Sequence, residues 1–140
     1  KIAEKVFEEL SRQFNQELAA AHSYLAFSVW SDVRNFKGFG KYFVKQACEE
    51  RAHAERIIKH LTDRGMTAEV AAIPQPKQAF KTLLEVALQA QAQEHANTEG
   101  INAAYEAAVA AKDYPAQVLL HWFINEQVEE EDWEWAGKPT

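Results

Sequence analysis

The sequence predicts an all-α fold, a four-helix bundle with a long crossover between helices two and three. Two observations carry this. The five glycines and four prolines gather at a few points, whereas a sandwich or barrel would place turn residues about every eight to twelve positions. Between those points apolar residues return at alternating spacings of three and four, the period of a helix with one buried face.

The first helix is expected over about residues 2–32, ending at "DVRNFKGFG", where Gly38 and Gly40 supply a turn. Helix two should run over 38–64, with Gly65 as a left-handed C-terminal cap. The connector "MTAEVAAIPQPK", carrying Pro74 and Pro76, leads into helix three over 78–111. "KDYP" then separates it from helix four over 115–136, with Asp113 as N-cap and Pro115 in the first turn.

Short first and third connections make antiparallel hairpins of helices one and two and of helices three and four. The middle connector is longer. Extended at about 3.3 Å per residue, its roughly 12 residues span about 40 Å, the length of a 27-residue helix at about 1.5 Å per residue. A crossover along the whole bundle follows.

A chain of 140 residues, 47% hydrophobic and 26% charged, suits a single domain over residues 1–140. The net charge of -6 and pI near 5.4 argue against nucleic acid and for cations as partners. One cysteine, Cys48, excludes an internal disulfide. Nothing resembles a signal peptide or a membrane span, so a cytoplasmic location is expected and no membrane partner.

The buried stripes contain the surprise. Helix one gives Phe7, Leu10, Phe14, Glu17, Ala21, Tyr24 and Ser28, and helix two gives Phe43, Gln46, Glu50, His53, Ile57 and Leu61. Helix three gives Phe80, Leu84, Ala87, Gln91, Glu94, Thr98, Ile101, Tyr105 and Ala108, and helix four Leu120, Phe123, Gln127 and Glu130. Every helix thus places a carboxylate on its apolar face, and Glu17, Glu50 and Glu94 fall near their helix midpoints. Carboxylates converging in a low-dielectric interior repel unless cations compensate them, and two divalent ions balance four such charges. An oxygen-rich set with one imidazole suits Fe(II) or Mn(II).

The stretches "FNQELAAAHSYL", "CEERAHAE", "AQEHAN" and "LLHWFINEQVEEE" carry a resemblance across essentially the whole chain. It resembles the non-haem ferritins of the bacterial type, ferritin-like di-iron four-helix bundles. The resemblance implies Glu17, Glu50 and His53 around one iron, Glu50 bridging to a second held by Glu94 and Glu130, and Gln127 beside that second site. It also implies a third iron at Glu49, Glu126 and Glu129, with Glu130 shared. Tyr24 matches the family's tyrosine at the site, an electron donor or hydrogen-bond partner, and Trp122 is a second candidate donor. The implied function is iron storage with ferroxidase activity, oxidising Fe(II) with dioxygen or hydrogen peroxide. A di-iron oxidase or peroxidase that protects against peroxide without storing mineral is the alternative.

A single Glu-x-x-His, and a lone methionine, Met66, placed in the connector, argue against the bacterioferritin pattern, so no haem is expected. His22, His60, His95, His121 and Cys48 receive no role. Trp30, Trp133 and Trp135 are read as packing or interface residues. Gly137 and Pro139 read as stop signals, and the family's short fifth helix has no counterpart, which puts the four-fold contacts of a shell in question. The expectation is a homo-oligomer, a 24-subunit shell ahead of a dimer.

Overall fold

The computed structural model of the protein describes residues 1–132. Its four helices are α1 Glu4–Val33, α2 Lys37–Asp63, α3 Leu83–Ala110 and α4 Tyr114–Glu130, and the described residues contain no strand. The expected extension of α4 to 136, with Gly137, Pro139, Trp133 and Trp135, lies outside the described residues. α4 as described ends at Glu130 with Glu131 as C-cap.

Helix ends follow local chemistry. Asp113 caps α4 as expected, its Oδ1 accepting from Ala116 N at 3.1 Å, with Pro115 in the first turn. α3 starts at Leu83 instead of Gln78, because Thr82 and Glu85 form a capping pair. Thr82 Oγ1 accepts from Glu85 N at 3.2 Å, and Glu85 Oε2 accepts from Lys81 N at 3.0 Å. Helices α1 to α3 all close on a left-handed residue flanked by paired backbone bonds. At α2 that residue is Gly65 (φ 75), with Gly65 N donating to Thr62 O and Met66 N to Leu61 O. The same pattern closes α3 at Lys112 (φ 54) and α1 at Asn35 (φ 66). Asn35 therefore makes the first turn, and Gly38 and Gly40 lie inside α2. Gly40 serves close packing instead, since a Cβ there would sit 3.0 Å from Asp32 Oδ1.

Cross-helix pairs give the directions. Between α1 and α3, Arg12 meets Gly100, Gln16 meets Ala96 and Ala20 meets Gln93, so one number rises as the other falls. Between α2 and α4, Gln46 meets Glu130, His53 meets Phe123 and Arg64 meets Asp113. Both pairs are antiparallel, as are the two hairpins, which leaves α2 and α3 parallel. The crossover must then return along the bundle. It does so pinned to α1: Asn15 Nδ2 donates to Glu69 O (3.0 Å), and Asn15 Oδ1 accepts from Ala71 N (2.9 Å). Further on, Phe80 packs edge-on to Phe27 and Trp30, and Trp30 Nε1 donates to Phe80 O at 3.3 Å.

The core falls into two apolar clusters. One gathers Leu10, Phe14, Ile57, Leu61, Ile101, Leu120 and Phe123, and the other Tyr24, Phe27, Trp30, Phe43, Phe80 and Val86. Between them lies a polar layer containing Glu17, Glu50, His53, Glu94 and Gln127, all buried. The α3 stripe differs from expectation in its first half: Val86 and Ala90 are buried, while Leu84 is 66% exposed, Gln91 is exposed and Ala87 is half-buried. Alanine on both faces of α3 leaves the stripe with little contrast. Among the described residues no helix is long and apolar enough to cross a membrane.

Replacing Asn15 by Ala removes two of the hydrogen bonds that hold the crossover to α1. Net losses of about 0.5–1.5 kcal/mol per bond predict a destabilisation of about 1–3 kcal/mol in urea unfolding. Limited proteolysis should then cut within 66–77 sooner than in the unsubstituted protein.

Candidate metal centre

Each helix presents its polar residues to the layer by helical spacing. Glu50 and His53 share one face of α2 at a separation of three, as Gln127 and Glu130 do on α4. Tyr24 stands two turns from Glu17 on α1. Glu17, Glu50 and Glu94 are completely buried, and His53 and Gln127 are 3% exposed. Ligating atoms come within 4.8 Å of one another in two groups, Glu17 with Glu50 and His53, and Glu50 with Glu94 and Glu130. Glu50 belongs to both, so the groups are adjacent.

His53 Nδ1 lies 3.1 Å from Glu50 Oε1 and 3.7 Å from Glu17 Oε1. All three atoms are buried and lack a hydrogen bond, as does Gln127 Oε1. Unpartnered buried polar atoms are costly and uncommon. Here three of them converge on one gap, an arrangement that a cation would satisfy.

The other carboxylate oxygens have donors. Gln13 Nε2 donates to Glu17 Oε2 at 2.9 Å, Asn97 Nδ2 to Glu50 Oε2 at 2.8 Å, and Gln46 Nε2 to Glu130 Oε2 at 2.7 Å. Tyr24 donates its hydroxyl proton to Glu94 Oε2 at 2.5 Å. Gln127 Nε2 donates to Thr98 Oγ1 at 3.0 Å and to the Glu94 backbone and side chain at 3.2 and 3.4 Å. Gln13 and Asn97 were not among the expected site residues. Their signal was faint: Gln13 sits one turn before Glu17, and Asn97 one turn after Glu94.

Crowded buried carboxylates favour their neutral forms. Burial, then the Glu17 charge, raises Glu50 far above the usual carboxyl range, against the pull of His53. Burial pushes Glu94 up to about 7, opposed by the Tyr24 hydrogen bond and aided by the Glu130 charge. Glu130 is likewise raised by burial, with Gln46 opposing and Glu49 and Glu126 adding. For His53 burial acts downward, but Glu17 and Glu50 outweigh it and push the imidazole up to about 10. Burial and Glu94 keep the Tyr24 hydroxyl protonated.

The acidic trio is looser. Glu49 and Glu126 are half-buried and Glu129 is exposed, and none of them joins either ligating group. Trp122 packs against His53, its ring centroid 5.4 Å from the imidazole, with the Arg56 guanidinium 3.8 Å over its face. His22, His95 and His121 are exposed and His60 is half-buried beside Arg64, and Cys48 is exposed.

The Ferritin-like domain family matches residues 7–134. Among curated proteins, the bacterial non-heme ferritin of Staphylococcus haemolyticus is 39% identical over 130 residues, covering 93% of this chain and 78% of its own. That of Staphylococcus aureus is 38% identical over the same lengths. Of solved structures, an open pore ferritin from the archaeon Archaeoglobus fulgidus superposes with a TM-score of 0.90 at 31% identity, over 94% of this chain and 81% of that one. A Chlorobium tepidum ferritin gives 0.91 at 30% identity, over 94% and 80%. The chain belongs to the ferritin family.

Proposed function

We propose that this ferritin binds two Fe(II) ions side by side and oxidises them to Fe(III) as the first step of iron storage. The observation that carries the reading is the pair of ligating groups sharing Glu50, buried except for the half-buried Glu130. Glu17 and His53 complete the first position, and Glu94 and Glu130 the second, with Gln127 beside it. Two adjacent Fe(II) ions supply the two electrons, with two protons from solvent, that reduce dioxygen to hydrogen peroxide, or hydrogen peroxide to two waters. Either molecule suits the site as oxidant. Carboxylate oxygens stabilise Fe(III) more than Fe(II) and so favour the transfer.

Tyr24 fixes Glu94 through its hydroxyl and is placed to supply a further electron. Glu49, Glu126 and Glu129, with Glu130 shared, form an acidic path next to the second position and would receive a third iron. The charge that Glu49 and Glu126 exert on Glu130 supports that proximity. The whole chain, residues 1–140, then acts as one domain in the cytoplasm. The outer face of α1 and α2 leaves Leu25, Val29 and Val44 exposed near Ile73 of the crossover, which supports association of copies. A 24-subunit shell gives oxidised iron an enclosed volume, and a dimer would give an oxidase without a store.

Three outcomes are expected. Glu50→Ala removes the only residue common to both groups, so Fe(II) oxidation followed by stopped-flow absorbance should slow by more than the roughly 10–100-fold typical of supporting residues. Unchanged rates would end the paired-iron reading.

The raised carboxyls give a signed pH dependence. Glu94 is held near 7 when folded, against an ordinary 4.5. Its contribution to the stability of the metal-free protein is therefore complete below about 4.5 and lost as the pH rises through about 7. Divalent metal must displace such protons, together with that on His53. Anaerobic addition of Fe(II) to weakly buffered protein near pH 6.5 should acidify the solution, and affinity should grow as the pH rises through about 7.

Native mass spectrometry should find a large closed oligomer of this chain. A mass near two chains with intact oxidation would identify the oxidase without a store.

A further inference from the structure

A chain of hydrogen bonds runs from the bundle surface into the metal layer between α1 and α3. All five N–H donors of the Arg12 guanidinium are engaged. Nε and Nη2 donate to Glu9 at 3.4 and 3.1 Å, and Nη2 also donates to the Gly100 carbonyl at 2.8 Å. Nη1 donates to Gln13 Oε1 at 3.1 Å and to Gln16 Oε1 at 3.0 Å. Arginine has no acceptor, so both glutamines must turn their carbonyl oxygens to it and their NH2 groups away. The Gln13 NH2 reaches Glu17 Oε2 at 2.9 Å. The Gln16 NH2 reaches Asn97 Oδ1 at 3.0 Å, which turns the Asn97 NH2 onto Glu50 Oε2 at 2.8 Å. On both carboxylates Oε2 is thereby engaged, and the buried Oε1 is left beside His53 without a hydrogen bond.

Gly100 makes the junction. A Cβ at that position would overlap Gln13 Oε1 and come within 3.0 Å of Arg12 Nη1 and 3.1 Å of Gln16 Oε1. The absence of a side chain on α3 is what lets these groups meet.

We propose that Arg12, seated against Gly100, is a positioning residue for the metal centre: it sets the polarity of two amide paths, so that Glu17 and Glu50 present Oε1 to the cation beside His53. The inference rests on the Fe(II)-binding reading above and assigns how its first position is oriented. Fixing an amide by a donor-only group removes the flipped arrangement, in which a carbonyl lone pair would face the carboxylate. Each carboxylate is then held in one rotamer with one oxygen free.

Anaerobic titration with Co(II), read by visible absorption, tests this, with the step lost in His53→Ala marking the first position. Gly100→Ala displaces the amide junction yet puts a better helix former into α3. Its melting temperature should equal or exceed that of the unsubstituted protein, while the first Co(II) step weakens about 10–100-fold and its absorption band shifts. Arg12→Ala should give the same loss, and Arg12→Lys, also donor-only but without the planar fork that reaches both glutamines, should recover at most part of it. Unchanged Co(II) affinity in Gly100→Ala or in Arg12→Ala would overturn the proposal. If the unsubstituted protein binds no Co(II), the metal-binding reading itself falls, a result visible before any substitution is made.

Discussion

Glu17, Glu50, Glu94 and Glu130 meet in a polar layer between two apolar clusters, and the rest of the structure answers to that fact. Removing one carboxylate from water costs several kcal/mol after relaxation, and like charges in proximity add to it. Without metal the layer meets this cost by holding protons, as the raised Glu50, Glu94 and Glu130 carboxyls and the raised His53 imidazole record. With metal, the same groups exchange protons for divalent charge. The apolar clusters on either side shield Glu17, Glu50 and Glu94 from water, while Glu130 is half-buried. α1, α2 and α3 continue well past the layer in both directions.

The violation of pattern made much of the site readable in advance. A carboxylate on an apolar stripe contradicts the period around it, and Glu17, Glu50, Glu94 and Glu130 do so on four separate helices. Gln127 and His53 were legible because each stands at helical spacing from one of those carboxylates. Gln13 and Asn97 were not, because an amide on a stripe is ordinary at a core boundary, and its importance depends on a partner in another helix. The late start of α3 was written in Thr82 and Glu85 but masked by Lys81 and the leucines around it, which read equally well as helix. Asn35 shows the same limit at a turn. Glycine-rich sequence close by attracted the assignment, while the left-handed residue was the asparagine. For Glu49, Glu126 and Glu129, sequence gives an acidic surface, but whether such side chains meet depends on helix rotation.

The two halves of the centre are built differently. Around Glu17 and Glu50 the donors are amides, and the free atoms are two carboxylate oxygens and an imidazole nitrogen. Around Glu94 and Glu130 the donors are a phenol and two amides, and no imidazole takes part. Under the proposed reading, nitrogen ligation on one side only would make the two positions unequal in affinity. Glu50, as the shared member, couples them, so filling one alters the charge that the other feels.

All the side-chain donors just described are neutral. Among the described residues, no Lys or Arg pairs with Glu17, Glu50, Glu94 or Glu130; the ion pairs of Glu17 and Glu50 are both with His53. A permanent cation in the layer would satisfy the carboxylates and repel an incoming metal ion. Neutral amides and a phenol orient the oxygens and leave their charge in place. His53 can carry a positive charge in the metal-free protein, but that charge is a proton, and it leaves when the nitrogen is needed as a ligand. The nearest fixed cation on the α1 side, Arg12, is held back by one glutamine from Glu17 and by a glutamine and an asparagine from Glu50. At that remove it lends direction to the amides while Glu9 balances its charge. The layer thus has its oxygens oriented but is still short of positive charge, the condition under which it would take up a divalent ion.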